Sequence, residues 1–422
     1  MRCLFVIPHP LLPANQGPKH HTLSLLGYLA QRHECEVMGL YDPGAGESWA
    51  RSARELPARV VGAFPRSRDG ASLRLRQLAL MARGLPWSLA CYWSESAEQF
   101  LRALPRQRYD VVCLDMSSMA QYAEACAGMP TVLLGHDAYS LAMLRSALHG
   151  RGLGYRGRML AQAMLQISFE RRQYPRVGAV ACVSEVDRRW LARIAPAARV
   201  DVVEIALPEE VTRRSPRATT PVPARIVCWG NLATDPIAAG VASFITRGWP
   251  RMLRAIPEAE LVIWGRSPPA WLRQVVARSP ATTHIEYVED WVGQLAGAAV
   301  AIYPQRCGAG VQTKVQAALA FGVPVVASRE TAEPVGLEHG ATALIGATPE
   351  MLASGCILLL TDRRERERIG EAGRRHALAR FDPERTGGQL AKLLREVTVA
   401  SSDGGRTSAR ASHGERGDAS AG

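Results

Sequence analysis

The sequence predicts an α/β protein of two doubly wound parallel-sheet domains that face each other across a cleft. Short buried runs alternate with helical patterns along the chain, which is the order that parallel sheets with crossover helices require. A series of strand, glycine-containing loop, helix and strand begins at residue 3, and a second series of strands begins at residue 225. The 422 residues are enough for two sizeable cores.

The first half, residues 1–207, begins with a buried strand at Cys3–Ile7 and a loop that contains Gly17. A helix at Thr22–Gln31, with leucines at helical spacing, and a strand at Glu36–Tyr41 follow. Apolar runs and helical patterns predict the further elements of this half at residues 58–64, 71–84, 94–104, 109–115, 131–138, 179–187 and 199–207.

His136 and Asp137 end the predicted strand 131–138, at the carboxyl edge where ligand sites of open α/β sheets lie. An imidazole there suits a hydrogen bond to a ligand hydroxyl group, with Asp137 fixing its tautomer. His136 is therefore our catalytic candidate in this half. The run Gly152–Gly157 fits G-x-G-x-x-G, but a helical pattern precedes it, so we predict a loop there and no dinucleotide site.

Residues 208–224 are rich in Pro, Thr and Arg and predict a linker to a second domain at residues 225–382. A helix at 383–398 is expected to cross back to the first domain. Residues 399–422 lack apolar anchors and predict a disordered tail. Strands and helices of the second half are expected at residues 225–231, 259–266, 284–290, 300–303, 311–321, 323–327, 348–361 and 363–380.

Residues 299–328 carry the strongest functional pattern: a buried strand, a glycine-rich loop, a helix and a second buried strand. Gly308 and Gly310 are expected to leave backbone amides open at the helix start, and Lys314 adds a positive charge one turn later. Open amides and a cation at a helix start favour an anion, especially phosphate. The pattern predicts a diphosphate site, with an ordinary tight strand-to-helix turn as the alternative.

The scarcity of lysine and asparagine supports this assignment. The chain has 51 lysines and arginines together, yet only three are lysines, and it has only two asparagines. Four of these five residues, including Asn231 and Lys314, follow predicted strands, where ligand sites lie. Arg266 and Arg306 are further cations at strand ends.

The net charge of +12 and the pI near 9.6 favour an acidic partner, either a nucleotide substrate or an anionic membrane. No RNA-binding signature is present, so we expect no nucleic acid. The segment from Arg66 to Arg83 is basic and amphipathic, which suits anionic lipid or a solvated face. No apolar run is long enough to span a membrane, and the cysteines lack paired spacing. We expect a cytoplasmic protein with peripheral contact at the inner membrane face.

The sequence shows no D-x-D, no H-E-x-x-H and no cluster of His and Cys ligands. We therefore expect neither a metal ion nor a cofactor.

The stretch GAGVQTK, VQAALA and FGVPVVAS resembles the donor-binding loop and helix of retaining GT-B glycosyltransferases, family four. The resemblance covers residues 225–385 closely and residues 1–207 more loosely. It implies two Rossmann-like domains, with a nucleotide-sugar donor held by the second and an acceptor bound by the first. By the same resemblance, Gly17, Gly230 and Asn231 approach the donor phosphates, and Gln316 lies beside the position of the donor's ribose.

The implied reaction moves a sugar from the nucleotide donor to a glycan, lipid-linked or small-molecule acceptor with retention, as in polysaccharide biosynthesis. Two alternatives stay open. One is an epimerase or phosphorylase of the same fold. The other is an inactive scaffold in a glycan assembly complex, because Ala309 and Ala317 stand where the family usually carries glutamates.

Overall fold

The computed structural model describes residues 1–14, 16–66, 70–208, 211–212, 222–306 and 308–414, and the side chains of Ser48 and residues 402–414 are not described. Three predictions therefore fall partly outside the described residues: the linker 208–224, the tail 399–422, and the basic segment that includes Arg68.

The N-terminal sheet has seven strands in the order β3-β2-β1-β4-β5-β6-β7, and all of its pairings are parallel. The strand order reverses between β1 and β4, so the loops after these strands diverge and leave a crevice at their carboxyl ends. The strands are β1 (Arg2–Ile7), β2 (Glu34–Tyr41), β3 (Arg59–Pro65), β4 (Val111–Asp115), β5 (Thr131–His136), β6 (Ala179–Cys182) and β7 (Val200–Val202).

Helices cover both faces of this sheet, because its strands are apolar on both sides. They are α1 (Gly17–Ala30), α2 (Gly46–Arg54), α3 (Ala71–Ala82), α4 (Glu95–Ala103), α5 (Tyr139–His149), α6 (Leu153–Gln173) and α7 (Glu185–Ile194).

The C-terminal sheet has six parallel strands in the order β10-β9-β8-β11-β12-β13, with its reversal between β8 and β11. The two crevices therefore lie after β1 and β4 in one domain and after β8 and β11 in the other. The strands are β8 (Arg225–Trp229), β9 (Glu260–Trp264), β10 (Thr282–Ile285), β11 (Val300–Tyr303), β12 (Val325–Ala327) and β13 (Leu344–Ile345).

A π-helical turn at Phe244–Gly248 joins the first two helices of this domain. None of the helices in the described ranges combines the length and apolar character needed to span a bilayer. The helices are α8 (Asp235–Ser243), α9 (Trp249–Ala255), α10 (Ala270–Ala277), α11 (Trp291–Ala296), α12 (Thr313–Ala320), α13 (Arg329–Val335), α14 (Pro349–Thr361), α15 (Arg363–Arg380) and α16 (Pro383–Gly414).

Helix α16 returns from the C-terminal domain and packs on the N-terminal one. Leu390 and Leu394 are fully buried in the same core as Leu25 of α1. Gly387 lies so close to α1 that a Cβ atom there would be 2.1 Å from the Tyr28 ring. The backbone helix continues to Gly414, past the end expected at residue 398.

The predicted fold class is confirmed: both domains are doubly wound parallel sheets with helices on their faces. Three local predictions are wrong. The strand expected at 284–290 lies at Thr282–Ile285, and residues 286–290 are not in a strand. The strand expected at 199–207 is regular only at Val200–Val202. The Gly152–Gly157 run is no loop but the start of α6, where Gly152 adopts a φ of 78° and the helix begins at Leu153.

A buried carboxyl joins α5 and α6. Glu170 accepts hydrogen bonds from the backbone and hydroxyl of Ser140 and from Gln166, and Ser140 in turn accepts one from Trp190 Nε1 at 2.8 Å. Burial raises the pKa of Glu170 to about 7, and the charge of Asp187 adds to this, although the hydrogen bonds from Ser140 and Gln166 oppose it. The folded protein therefore keeps a proton on Glu170 that the unfolded chain releases at lower pH.

The raised pKa of Glu170 predicts that the free energy of unfolding depends on pH. The contribution of the protonated Glu170 is fully present below its ordinary pKa of 4.5 and is lost as the pH rises through about 7. The loss amounts to about 3 kcal/mol of the free energy of unfolding. Urea unfolding across this pH range should show a decline for the wild type and a flatter profile for Glu170→Gln. Glu371→Gln, at an exposed glutamate of α15, is the matched control. Parallel profiles for Glu170→Gln and the wild type would contradict the assignment.

Candidate active site

The two crevices meet in a cavity of about 410 Å³ that both domains line. The domains approach closely, since a Cβ atom on Gly17 of α1 would lie 3.5 Å from the side chain of Thr313 in α12. The polar wall on the N-terminal side includes His136, Asp137 and Ser146, and the C-terminal side includes Thr234, Gln312 and Lys314.

The loop before α12 is held by N-terminal residues. Arg145 Nη1 donates to the carbonyl oxygen of Gly308 at 2.8 Å. The backbone amide of Gly310 bonds the Asp187 carboxylate, so this amide, which we expected to be open to an anion, is occupied. Gly310 has a φ of 65°, and a Cβ atom there would lie 1.8 Å from Asp137 Oδ1, so only glycine fits.

Lys314 is half-buried in the first turn of α12 and directs its ammonium toward the loop after β8. A Cβ atom on Gly230 would lie 2.7 Å from Lys314 Nζ, so glycine at this position makes room for the ammonium. The ammonium also lies 5.5 Å from the centre of the Tyr303 ring, and Tyr303 donates a hydrogen bond to the Lys314 carbonyl oxygen at 3.0 Å. The space at Gly230, the Tyr303 ring and the hydrogen bond from the Tyr303 hydroxyl thus position Lys314 at the cavity wall.

His136 is buried at the end of β5 with a φ of 59°, which is unusual for a residue with a side chain. Its Nε2 atom lies 2.6 Å from Asp115 Oδ1, at the end of the neighbouring strand β4. Thr22 donates to the same carboxylate oxygen at 2.8 Å. Asp115 and not the expected Asp137 therefore orients the imidazole. A carboxylate accepts hydrogen bonds, so it fixes the proton on Nε2 and leaves Nδ1 as the acceptor in the neutral ring.

Several polar atoms around His136 have no hydrogen-bond partner among the described residues. They are His136 Nδ1, Asp115 Oδ2, His21 Nδ1 and His9 Nδ1, all buried. The His21 ring also lies edge-on to His136, with 5.2 Å between ring centres. Buried polar groups are normally paired, so a cluster of unpaired ones beside a cavity is typical of a site that binds polar ligands.

Burial and neighbouring charges perturb the titratable groups of the cavity. Burial lowers the pKa of His136, but the charge and hydrogen bond of Asp115 raise it more, so its pKa lies above the ordinary value. Burial and the charge of Asp187 raise the pKa of Asp137 to about 7, against the opposing effect of His136. Such shifts cluster at functional sites. Among the described residues, no group of three or more His, Cys, Asp or Glu side chains is arranged to hold a metal ion.

The structure brings some predicted site residues together and separates others. Gly17, His136, Gly308 and Lys314 line the cavity, and Gly230 contacts Lys314. The other five do not line it. Gly310 lies against Asp137 in the loop before α12, and Gln316 is buried and donates to the Ile205 carbonyl oxygen at 2.9 Å. Asn231 is exposed and accepts from the Ala233 amide, Arg266 lies over the Tyr287 ring, and Arg306 pairs with Glu330 at 3.0 Å. Their roles in donor binding remain predictions.

Sequence reasoning missed Asp115, Arg145 and Thr234. The signal for Asp115 was present, because it ends the predicted strand 109–115 and β4 lies next to β5. Thr234 precedes Asp235-Pro236 at the start of α8, a helix-start pattern in a loop after a strand. Arg145 lies within a helix, and no local pattern marks it.

Residues 223–362 match the family model described as Glycosyl transferases group 1. A search among curated proteins finds no match.

Solved structures share the whole fold at low identity. Sucrose-phosphate synthase from Thermosynechococcus elongatus superposes with a TM-score of 0.70 at 14% identity, covering 95% of this chain and 100% of that one. Anabaena HepE in complex with UDP gives 0.64 at 15%, with 94% and 100% covered. A point mutant of Staphylococcus aureus TarM, in complex with fondaparinux, α-GlcNAc-glycerol and UDP, gives 0.66 at 7%, with 93% and 100% covered.

The family match covers the C-terminal domain, and the structural likeness covers both domains. Residues 223–362 are thus similar to group 1 glycosyl transferases, and the two domains together share the GT-B fold of these solved structures.

Proposed function

We propose that this chain transfers a sugar from a nucleotide-sugar donor to an acceptor, with retention of the anomeric configuration. The observation that carries the proposal is the shared cavity, with Lys314 and the Gly308 loop on the C-terminal wall and His136 on the N-terminal wall. One wall suits a diphosphate and the other suits hydroxyl groups, which are the two halves of a glycosyl transfer.

On the donor side, Lys314 holds the diphosphate, assisted by the first-turn amides of α12. Negative charge grows on the diphosphate as the bond to the sugar breaks. A fixed ammonium at the cavity wall stabilises that charge more in the transition state than in the bound donor. The leaving diphosphate accepts the proton of the acceptor hydroxyl, so no protein nucleophile is needed.

On the acceptor side, His136 offers Nδ1 to a hydroxyl group. Asp115 fixes the proton on Nε2, so the neutral ring accepts at Nδ1. The protonated ring, favoured by the raised pKa, donates there instead and suits a phosphate oxygen. Both forms position polar groups of the reacting sugars next to the diphosphate wall.

The solved neighbours suggest the first donor to test. Anabaena HepE is known in complexes with UDP, with UDP and glucose, and with UDP-glucose. We propose a UDP-sugar donor and a glycan, lipid-linked or small-molecule acceptor in polysaccharide biosynthesis. We also propose cytoplasmic location with peripheral contact at the inner membrane face, supported by the net charge of +12, and no requirement for a metal or cofactor.

Replacement of Lys314 should weaken nucleotide binding. Lys314→Ala removes a charge-assisted bond worth about 1.5–3 kcal/mol, so UDP affinity should fall about tenfold or more. Lys314→Arg should restore it only in part, because the backbone at Gly230 leaves little room beside Nζ for a guanidinium. Calorimetry with UDP measures the affinities, and thermal melting checks the fold.

Lys392→Ala is the matched control, because this lysine of α16 is 75% exposed, forms an ion pair with Glu396 and is not among the residues that line the cavity. Its UDP affinity should equal that of the wild type. Equal UDP affinity for folded Lys314→Ala and the wild type would reject the diphosphate assignment and favour the scaffold alternative.

Asp115→Asn should change both the tautomer and the pKa of His136. Loss of the carboxylate charge removes the main cause that raises the pKa, so the pKa of His136 should fall. The asparagine amide can also donate to Nε2, which moves the ring proton to Nδ1. Histidine side-chain NMR over a pH titration reports both changes without a substrate.

Asp110→Asn serves as the control for this experiment, because Asp110 is an aspartate of the same domain that bonds Arg2. It should leave the His136 signals unchanged. A wild-type ring protonated on Nδ1 in its neutral form, or a titration unaffected by Asp115→Asn, would contradict the assigned role of Asp115.

A further inference from the structure

Helix α6 has its polarity reversed relative to an ordinary surface helix. Gln162, Gln166 and Glu170 are buried against the domain. Leu153, Leu160 and Met164 point outward, and Leu153 is 85% exposed. A surface helix normally buries its apolar stripe and exposes its polar side chains. Leucine and methionine exposed along one helix face indicate that an apolar partner covers it.

Helix α3 carries a second exposed apolar stripe. Leu73 and Leu80 are buried, whereas Leu75, Leu78 and Met81 are exposed. The end of α3 adjoins α6, because Arg172 Nη1 of α6 donates to the Arg83 carbonyl oxygen at 2.9 Å. The α3–α6 surface is defined here by its exposed apolar side chains, Leu75, Leu78, Met81, Leu153, Leu160 and Met164.

The exposed charge that these two helices carry is positive. Glu170 is the only acidic residue within 71–82 and 153–173, and it is fully buried. The exposed charged residues within the two helices are Arg74, Arg156, Arg158, Arg171 and Arg172, and the exposed Arg83 and Arg151 lie just after α3 and just before α6. Arginine side chains beside an apolar stripe suit an anionic bilayer, because their stems lie along acyl chains while their guanidinium groups reach the headgroups. Protein partners of ordinary composition do not require such a one-sided charge.

The α3–α6 surface also begins at the rim of the cavity. Ser146 of α5 lines the cavity, and the chain then turns at Gly150 into α6. The Arg151 amide in this turn donates to Asp235 Oδ2 at 2.7 Å, next to Thr234 of the cavity wall. Leu153, the first residue of α6, therefore lies close to the cavity mouth.

We propose that the α3–α6 surface docks on an anionic lipid bilayer, and that the acceptor is a glycan carried by a lipid of that membrane. A bilayer at this surface presents a lipid-linked head group at the cavity mouth while the lipid tail stays in the membrane. The acceptor class rests on the proposed glycosyl transfer, whereas the docking stands on the exposed side chains alone.

Vesicle sedimentation tests the docking. The full chain should bind vesicles of phosphatidylcholine with phosphatidylglycerol, bind phosphatidylcholine alone much less, and be released by salt. The double variant Leu160→Gln, Met164→Gln should lower the vesicle affinity about tenfold or more, because two apolar anchors are lost. The double variant Arg74→Gln, Arg158→Gln should lower it about tenfold and reduce its salt dependence.

Matched controls lie on the C-terminal domain. Met351→Gln with Leu358→Gln replaces two exposed apolar residues of α14, and Arg251→Gln replaces an exposed arginine of α9. Both controls should bind vesicles like the wild type. Equal losses of vesicle affinity in the controls and the test variants would overturn the proposal. So would a wild type that binds vesicles with and without phosphatidylglycerol equally well. A wild type that binds no vesicles but self-associates through Leu160 and Met164 would also overturn it, in favour of a protein partner.

UDP calorimetry on the same variants separates the two proposals. Vesicle variants that keep the wild-type UDP affinity show that docking and donor binding are independent. A chain that docks on vesicles but binds no UDP would reject the proposed UDP-sugar donor and leave the docking surface intact.

Discussion

The arrangement of the cavity depends on one constraint: the loop before α12 belongs to the C-terminal domain but is bonded by the N-terminal one. Arg145 bonds its Gly308 carbonyl oxygen and Asp187 bonds its Gly310 amide. One turn into the helix, Gln316 reaches the Ile205 carbonyl oxygen. A movement of one domain relative to the other therefore breaks bonds at the loop itself. The diphosphate wall and the relative position of the domains are coupled through this loop.

This coupling explains which residues the loop tolerates. Gly310 must be glycine, since its φ is left-handed and the carboxyl of Asp137 occupies the space of a Cβ atom. Gln316 is fully buried, and its side-chain amide donates a hydrogen bond to a backbone carbonyl oxygen of the other domain. This amide therefore has a structural role. The position expected to contact the donor thus supports the domain interface in this structure. Lys314, two residues earlier, lies at the cavity wall instead.

The parts of the fold that follow from local pattern were predictable from the sequence. Alternating strands and helices predicted both sheets, and glycines with a lysine at a helix start predicted the cavity wall at Lys314. Contacts between distant segments were not predictable. Arg145 and Gly308 are 163 positions apart, and the residue pattern of neither segment predicts a contact with the other. The partner of His136 was missed for a different reason. Asp137 is adjacent in sequence but lies beyond the end of β5, whereas Asp115 reaches the ring from the adjacent strand β4.

Asp137 and Asp187 lie next to the loop that carries Gly308 and Gly310. If both were fully ionised and unpaired, their negative charge would repel a bound diphosphate, but their surroundings reduce that charge. Asp187 accepts hydrogen bonds from the Gly310 and Ala138 amides, and the Ser184 hydroxyl bonds it as well. Burial and the nearby charge of Asp187 raise the pKa of Asp137 to about 7, so near neutral pH a large fraction of it carries a proton. The negative charge near a bound diphosphate is thereby reduced. The positive charge of Lys314 at the cavity wall is not. Burying a charged carboxylate costs free energy, so burial favours the protonated form. A neutral carboxyl does not repel a phosphate that binds beside it.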